Sequence, residues 1–295
     1  MKFKPTSTLN RVNRSVPCPV CGKQDWCMVS RFGDHAICCR HESERPAPAF
    51  SGWHHAIPPR SRLAPALIAQ ATRPISQHPI RDFGDLHRAH VARFGANQRA
   101  VAAEALGLDP CVFDFYSIGY SPALDAIAIP AMQVGSPDTI GIRYRRINHR
   151  KGGPKWSCEP QSTAGLLLPN FAPVDGEPIC LLEGPSDTLA AAQIDLYAIG
   201  RWSCGLDSRQ AETLKSHLAS VSQPTIVVVG DNDAHRTGAK GADAAAELVS
   251  QTIPNAIVMR VQPPPSVKDV RDWVVTGAAC ASDVIDAGKE VRRGE

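Results

Sequence analysis

No stretch of the 295-residue sequence approaches the run of about 20 apolar residues that a membrane helix needs, so no membrane association is expected. The first residues (MKFKPTSTLNRVNR) are basic but carry no apolar core of the kind that directs secretion, and a cytoplasmic protein is expected. Strong net charge is also missing. The formal value is only +3, which alone does not announce a nucleic-acid binder. The pattern Gly-x-x-x-x-Gly-Lys-Ser/Thr occurs nowhere, which excludes a P-loop motor. No internal repeat is visible.

What is present is a chain with 43% hydrophobic and 21% charged residues, enough apolar content to build a buried core. Charge is unevenly placed: residues 1–62 hold ten Lys/Arg against four Asp/Glu, while the second half collects carboxylates. A basic arm and an acidic site in one chain suit a protein that grips a polyanion at one end and holds a metal at the other. Five of the ten cysteines lie between Cys18 and Cys39. In a reducing compartment such a cluster reads as a metal site, not as a disulfide framework.

Residues 1–60 form a short, basic, Cys/His-rich block, and 61–81 are rich in proline and small residues, as a linker is. Residues 82–109 carry helical patterns that end at Gly107 and Pro110. From Phe113 the texture changes to short strands: AIAIPAM, TIGIRYRRI and GLLLP. After Pro178, apolar strands (PICLLEG, DLYAIG, TIVVVGDND, AIVMRV) alternate with helical segments. That alternation predicts an α/β fold with a parallel-type sheet and helices on both faces.

Cys18-Pro-Val-Cys21-Gly22 has the form of a zinc knuckle: two thiolates reach one ion and the glycine permits the turn behind them. Two further ligands are needed. Cys27 and Cys38 flank a predicted hairpin (CMVSRFGDHAIC) with its turn near Phe32-Gly33, which would set them opposite each other. The competing arrangement pairs Cys38 with His41. Cys39, adjacent to Cys38, would point to the other face of the strand. Four closed ligands mean a structural zinc. Arg31, His35, Arg40 and Trp53 are candidates for contacting single-stranded nucleic acid through phosphate and stacking.

Glu183 stands at the end of one apolar strand, and Asp231 and Asp233 at the end of another. Open α/β sheets bind ligands at the carboxyl ends of their strands, and three carboxylates there make a hard-oxygen site suited to magnesium. Taken singly, Asp187 and Asp231 read better as helix N-caps. Taken together, the matched placement of the set points to metal-assisted phosphoryl transfer.

These segments resemble a known family. EGPSD (183–187) resembles the Glu-Gly-x-x-Asp motif of TOPRIM domains, and GDNDAHRTGAKGADAAAELV their Asp-x-Asp strand and following helix. SVKDVRDWV (266–274) resembles the Lys-Asp segment that closes the site in bacterial and phage primases. Upstream, IPAM…IGIRYRRI…KGGPKWS…GLLLP resembles the segment preceding TOPRIM in the bacterial replicative primases and their phage and plasmid relatives. The cysteine-rich block resembles their amino-terminal zinc ribbon.

The resemblance implies a zinc ribbon at 1–60, a linker at 61–81, the first part of a primase-like core at 82–172 and a TOPRIM domain at 173–295. It implies a DNA primase, a nucleotidyltransferase that uses Mg2+ or Mn2+ to join ribonucleoside triphosphates on a single-stranded DNA template, in the replication of a phage, plasmid or other mobile element. Glu183, Asp231 and Asp233 would be the metal carboxylates, with Glu183 nearest the reacting phosphates. Asp187 would support them, Asp269 would be an outer metal or nucleotide contact, and Lys268 would meet nucleotide phosphates. Arg143, Arg145, Arg146, Lys151 and Lys155 would hold template and nucleotide. Trp202 is expected to pack and not to stack on a base. Only 62 residues follow Asp233, so neither a helicase-docking domain nor a fused helicase is expected, and a separate helicase would be the partner. All four tyrosines (Tyr116, Tyr120, Tyr144, Tyr197) precede the Asp-x-Asp strand, which argues against a type I topoisomerase. A TOPRIM nuclease and a non-catalytic zinc/TOPRIM binding protein of replication or recombination remain as alternatives.

Overall fold

In the computed structural model, which describes residues 9–30, 32–47, 52–58, 80–148, 155–233, 237–277 and 279–290, the chain divides into two compact units, residues 1–79 and 80–295. Residues 61–79 of the expected linker lie outside the described residues.

The first unit is built on short strands because its sequence turns often. β1 (Leu9–Arg11), β2 (Met28–Ser30), β3 (His35–Cys38), β4 (Pro46–Ala47) and β5 (Gly52–Ala56) form an antiparallel sheet in the order β1-β2-β3-β5-β4. The hairpin between β2 and β3 turns at Gly33, whose φ of 66° suits a residue without Cβ. Met28 pairs with Ile37, so Cys27 and Cys38 face each other across the two strands as the hairpin reading requires. Gly52 passes so close to β3 that a Cβ there would meet the Cys38 carbonyl at 2.8 Å. The apolar interior is small: Val12, Val16 and Val29 pack on the cysteines, Met28, Ile37 and Ala47 form a second cluster, and a core of that size needs a staple.

The second unit opens with α1 (Gly84–Val91) and α2 (Ala96–Leu106). Gly107 ends α2 in the left-handed region at φ 71°, and the Leu108 N–H returns to the Ala103 carbonyl, closing the helix with a glycine cap. A 3₁₀ turn (Pro110–Phe115) follows, then β6 (Gly119–Ser121), β7 (Ala126–Met132), β8 (Thr139–Arg146), β9 (Trp156–Cys158) and β10 (Leu166–Leu167). The remainder alternates: β11 (Ile179–Leu182), α3 (Pro185–Gln193), β12 (Tyr197–Arg201), α4 (Ser208–His217), β13 (Thr225–Val229), α5 (Thr237–Thr252) and β14 (Ile257–Val261). It ends with α6 (Val270–Val275), α7 (Ala281–Asp286) and β15 (Lys289–Glu290).

All these strands share one ten-stranded sheet in the order β15-β14-β13-β11-β12-β10-β7-β8-β9, with β6 on β7. The sheet is mixed. β14, β13, β11 and β12 are parallel, as the alternating pattern predicts, and antiparallel strands extend it on both sides. Period-two alternation feeds two layers. Cys180, Leu182, Val227 and Val229 pack on one face with Leu189 of α3 and Trp273 of α6. Ile179, Leu181, Ile226 and Val228 pack on the other with Leu214 of α4 and Val249 of α5. Each such side chain contributes roughly 1.5–3 kcal/mol when fully buried. The chain leaves β11 through α3 to β12 on one side, while β13 lies on the other side of β11. The strand order therefore reverses between β11 and β13, and a crevice opens at their carboxyl ends.

Candidate active site

Glu183 follows β11 and Asp231 follows β13 by two residues, so the topology alone brings them to the mouth of that crevice. α3 starts at once after Gly184 and carries Asp187 in its first turn, buried and accepting the Arg271 N–H at 3.1 Å. Asp187 is thus not the cap of its helix, and Gly184 occupies that position. Asp269 arrives from the loop after β14. It is the N-cap of α6, its Oδ1 accepting the Asp272 N–H at 2.8 Å. Asp233 turns its carboxylate into the start of α5, accepting N–H groups of Thr237 at 3.0 Å and Gly238 at 2.5 Å. Asn232, between the two aspartates, donates to the carbonyls of Pro263, Pro264 and Val267 and so ties this loop to the one that delivers Lys268 and Asp269.

The electrostatics show how crowded the carboxylates are. Burial, opposed by Arg201 and reinforced by Asp187 and Asp233, pushes Glu183 up to about 7. Burial together with Asp231 and Asp269 pushes Asp187 up to about 8. Burial together with Glu183 and Asp269 pushes Asp231 up to about 7. Buried carboxyls that raise one another hold protons in default of a cation. Glu183 Oε2 is buried without a hydrogen-bond partner. A buried acceptor without a donor, among acids that repel each other, fits a hard divalent cation such as Mg2+ or Mn2+. Lys268 sits beside this group, 3.3 Å from Asp269 Oδ2. Burial depresses its ammonium, but Asp269, Asp231 and Asp187 outweigh that and leave it raised.

β8 supplies the basic side. Its alternation places Arg143 and Arg145 together against Trp156 of β9, with guanidinium carbons 4.4 and 5.8 Å from the ring centroid. Arg143 also donates to the Trp202 carbonyl at 2.6 Å. Arg145 is 6% exposed, and its Nε has no partner. Burial pulls its guanidinium down to about 10, Arg271 adds to the fall, and Asp187 opposes it. Lys155 is also depressed, by desolvation of its ammonium and then by Arg145, Arg271 and Lys268, with Asp269 opposing. Arg145, Lys155, Lys268 and Arg271 therefore share one electrostatic neighbourhood with Asp187 and Asp269. Arg146 alternates to the other side of the strand, and its Nε is buried without a partner. Lys151 lies outside the described residues. Trp202 is buried against Ala131 and Ile140, a packing residue as expected.

In the first unit, the Sγ atoms of Cys18, Cys21, Cys27 and Cys38 all lie within 4.8 Å of one another. Cys21 to Cys27 is 3.7 Å and Cys27 to Cys38 is 3.9 Å. A tetrahedron with zinc–sulfur bonds of about 2.3 Å has edges of about 3.8 Å, so the four thiols fit zinc. His41 contributes its backbone N–H, which with that of Arg40 points at Cys38 Sγ, each at 3.4 Å. Cys39 turns away and donates to the Trp26 carbonyl at 3.0 Å. Burial pushes the Cys38 thiol up, so thiolates gather here only with a cation to hold. Arg40 lies over the cluster, 3.6 Å from Cys27 Sγ, and pairs with Asp25 at 2.7 Å. His35 Nε2 meets His54 Nδ1 at 3.0 Å. Those two side chains are engaged within the ribbon, Trp53 pairs with Cys38 in register, and Arg31 lies outside the described residues.

Three parts of the site were not found from sequence. Arg271 sits in the segment SVKDVRDWV, but nothing in the spacing separates it from a surface charge. Gly238 packs against the acids so tightly that a Cβ would stand 2.8 Å from the Asp231 backbone and 2.9 Å from Glu183 Oε2. Arg201 is fully buried at the end of β12, and its only sequence signal is a charge closing the apolar run YAIG.

No family model matches the chain, and no curated protein matches it. Solved structures do. The DnaG primase catalytic domain bound to ssDNA is similar at 15% identity with a TM-score of 0.53, over 70% of this chain and 77% of that one. The E. coli primase catalytic core is similar at 15% identity and a TM-score of 0.52, over 70% and 79%. The Aquifex aeolicus primase, comprising its zinc-binding and RNA polymerase domains, is similar at 16% identity and a TM-score of 0.50, over 99% and 81%. The chain has the fold of DnaG-type primase catalytic cores.

Proposed function

We propose that this chain is a DNA primase that synthesises short RNA primers on single-stranded DNA, in the replication of a phage, plasmid or other mobile element. The observation that carries the reading is the convergence of Glu183, Asp187, Asp231 and Asp269 at the strand-order reversal, with Arg145, Lys155, Lys268 and Arg271 beside them. Acids that favour a divalent cation, flanked by cations that favour phosphate, suit transfer of a nucleotidyl group. The fold shared with primase catalytic cores supports the same reading.

Glu183, Asp231 and Asp233 would hold Mg2+ or Mn2+, with Asp187 and Asp269 as outer acids. When bound, the ion supplies Lewis-acid stabilisation of charge on the triphosphate and activation of the attacking 3′-hydroxyl. Lys268 offsets charge on the departing pyrophosphate. Arg143, Arg145, Lys151 and Lys155 hold template and incoming ribonucleoside triphosphate, and Arg146, on the other side of β8, would meet the polyanion from that face. Asp233 and Asp269, whose carboxylates also accept helix-start N–H groups, keep the two loops fixed, and Asp233 keeps a lone pair on each oxygen to face the ion beside Glu183 and Asp231. The zinc ribbon holds its shape through Cys18, Cys21, Cys27 and Cys38, and a separate replicative helicase opens the duplex.

The test is de novo synthesis on single-stranded DNA with labelled ribonucleotides and Mg2+ or Mn2+, beside D231N and E183Q. Short products lost in both variants support the reading. Template cleavage without synthesis would make the protein a nuclease, and binding alone would make it a non-catalytic replication or recombination protein.

A further inference from the structure

Arg201 is the last residue of β12 and has no exposed surface. A buried guanidinium persists only where its donors and its charge are met. Each of its three nitrogens donates to backbone: Nε to the Leu182 carbonyl at 3.3 Å, Nη2 to the Val229 carbonyl at 2.9 Å, and Nη1 to the Cys204 carbonyl. Leu182 immediately precedes Glu183, and Val229 lies two residues before Asp231. β12 does not neighbour β13, because β11 stands between them. One side chain therefore crosses a strand to tie together the two strand ends that carry the acids. Cys204 lies in the turn against which Gly241 of α5 packs, so the same fork also fixes the helix that receives Asp233. Burial pulls the Arg201 guanidinium down, and Glu183, Cys204 and Asp231 oppose that only in part, while Glu183 Oε2 stays free of donors.

We propose that Arg201 is a positioning residue for the metal site: its three-way fork fixes the distance between the β11 and β13 ends, and with it the spacing of Glu183 and Asp231. This rests on the metal-site reading above. A planar fork with several donors is needed, because three carbonyls at three places must be met at once. Lysine keeps the charge but offers one nitrogen, and glutamine keeps a planar group without charge.

The measurement is Mn2+ affinity of the full, zinc-loaded chain by electron paramagnetic resonance, with D231N reporting Mn2+ bound elsewhere. Circular dichroism establishes that each variant is folded at the working temperature. R201K is expected to bind Mn2+ at least about tenfold more weakly than wild type, and R201Q at least as weakly as R201K. Wild-type affinity in R201K would mean that charge alone matters and would overturn the proposal. Tighter binding in R201Q would mean that Arg201 merely repels the ion, and would overturn it as well. If R201Q does not fold, R201K decides alone. If neither folds, Arg201 is a structural bolt and the proposal falls. Wild type without Mn2+ binding overturns this proposal and the metal-site reading together. Wild type that binds Mn2+ but makes no primer overturns only the primase reading.

Discussion

Replacing Asp231 with asparagine should abolish activity and yet stabilise the metal-free protein at neutral pH. Asp231 is raised in the fold from an ordinary 3.8 to about 7 by burial, Glu183 and Asp269. The sign follows from proton linkage. Below about pH 4 the residue is protonated in both folded and unfolded chains and costs nothing. Between pH 4 and 7 the unfolded chain releases its proton while the fold retains it, and the penalty grows. Above pH 7 it is complete. Each tenfold change in proton affinity is about 1.36 kcal/mol, so an ionised Asp231 costs the metal-free fold on the order of 4 kcal/mol. Asparagine removes that cost but must bury an amide, so a net gain of about 2–4 kcal/mol is expected. For a domain of this size that is roughly 5–15 °C in Tm.

The assay is thermal unfolding of wild type and D231N in chelator from pH 4.5 to 8.5, with and without Mg2+. The difference should be near zero at pH 4.5 and largest at pH 8. Mg2+ should raise the wild-type Tm and leave D231N unmoved, since a ligand at tenfold excess over its Kd adds about 1.4 kcal/mol to the state that binds it. A difference that is flat with pH, or a less stable D231N at pH 8, would refute the reasoning. Asp231 would then be a structural acid whose charge the fold welcomes.

The zinc site predicts that C38S loses the metal while H41A retains one zinc per chain, measured with a chromophoric chelator on the full protein. G238A adds a Cβ at 2.8 Å from the Asp231 backbone and 2.9 Å from Glu183 Oε2, which should cost about 1–3 kcal/mol in the urea transition and abolish stabilisation by Mg2+. R145M removes a buried cation whose Nε lacks a partner, so the fold should be as stable or more so. The same variant should bind single-stranded DNA more weakly by anisotropy, with the slope of log K against log salt shallower by about 0.7. An unchanged slope would mean that Arg145 does not meet phosphate.

Much of this was legible in the sequence because periodicity and topology are coupled. Four apolar runs separated by helices imply parallel strands, and parallel strands deliver the residues at their carboxyl ends to one edge. That is why Glu183 and Asp231, 48 residues apart, could be paired before any geometry was known. The four cysteines were legible because a hairpin centred on Gly33 has only one register that sets Cys27 against Cys38. The antiparallel extension on both sides of the parallel strands was less legible: β10 and β15 have two residues each, too few for a period to show. Arg201 was not legible at all. Charge at a strand end ordinarily means solvent, and only the crossing from β12 under β11 to β13 reveals that this one is enclosed.

The acids also show why capping and metal binding are poor alternatives when weighed residue by residue. Read singly, Asp187 and Asp231 look like caps, but the carboxylates that accept helix-start N–H groups are those of Asp233 and Asp269. Those two accept N–H groups, which pins the loops after β13 and β14, and Asp233 retains a lone pair on each oxygen for the ion. Glu183 keeps an oxygen without a donor, and Asp231 stands among like charges. The division has a physical logic. A carboxylate satisfied by backbone is held in place at little cost, whereas one left unsatisfied is expensive unless an ion arrives. A site that must hold an ion and phosphates in fixed geometry needs both kinds, the first to set positions and the second to make the empty site less favourable than the filled one. The same helix starts that stabilise α5 and α6 therefore fix where the unsatisfied acids stand.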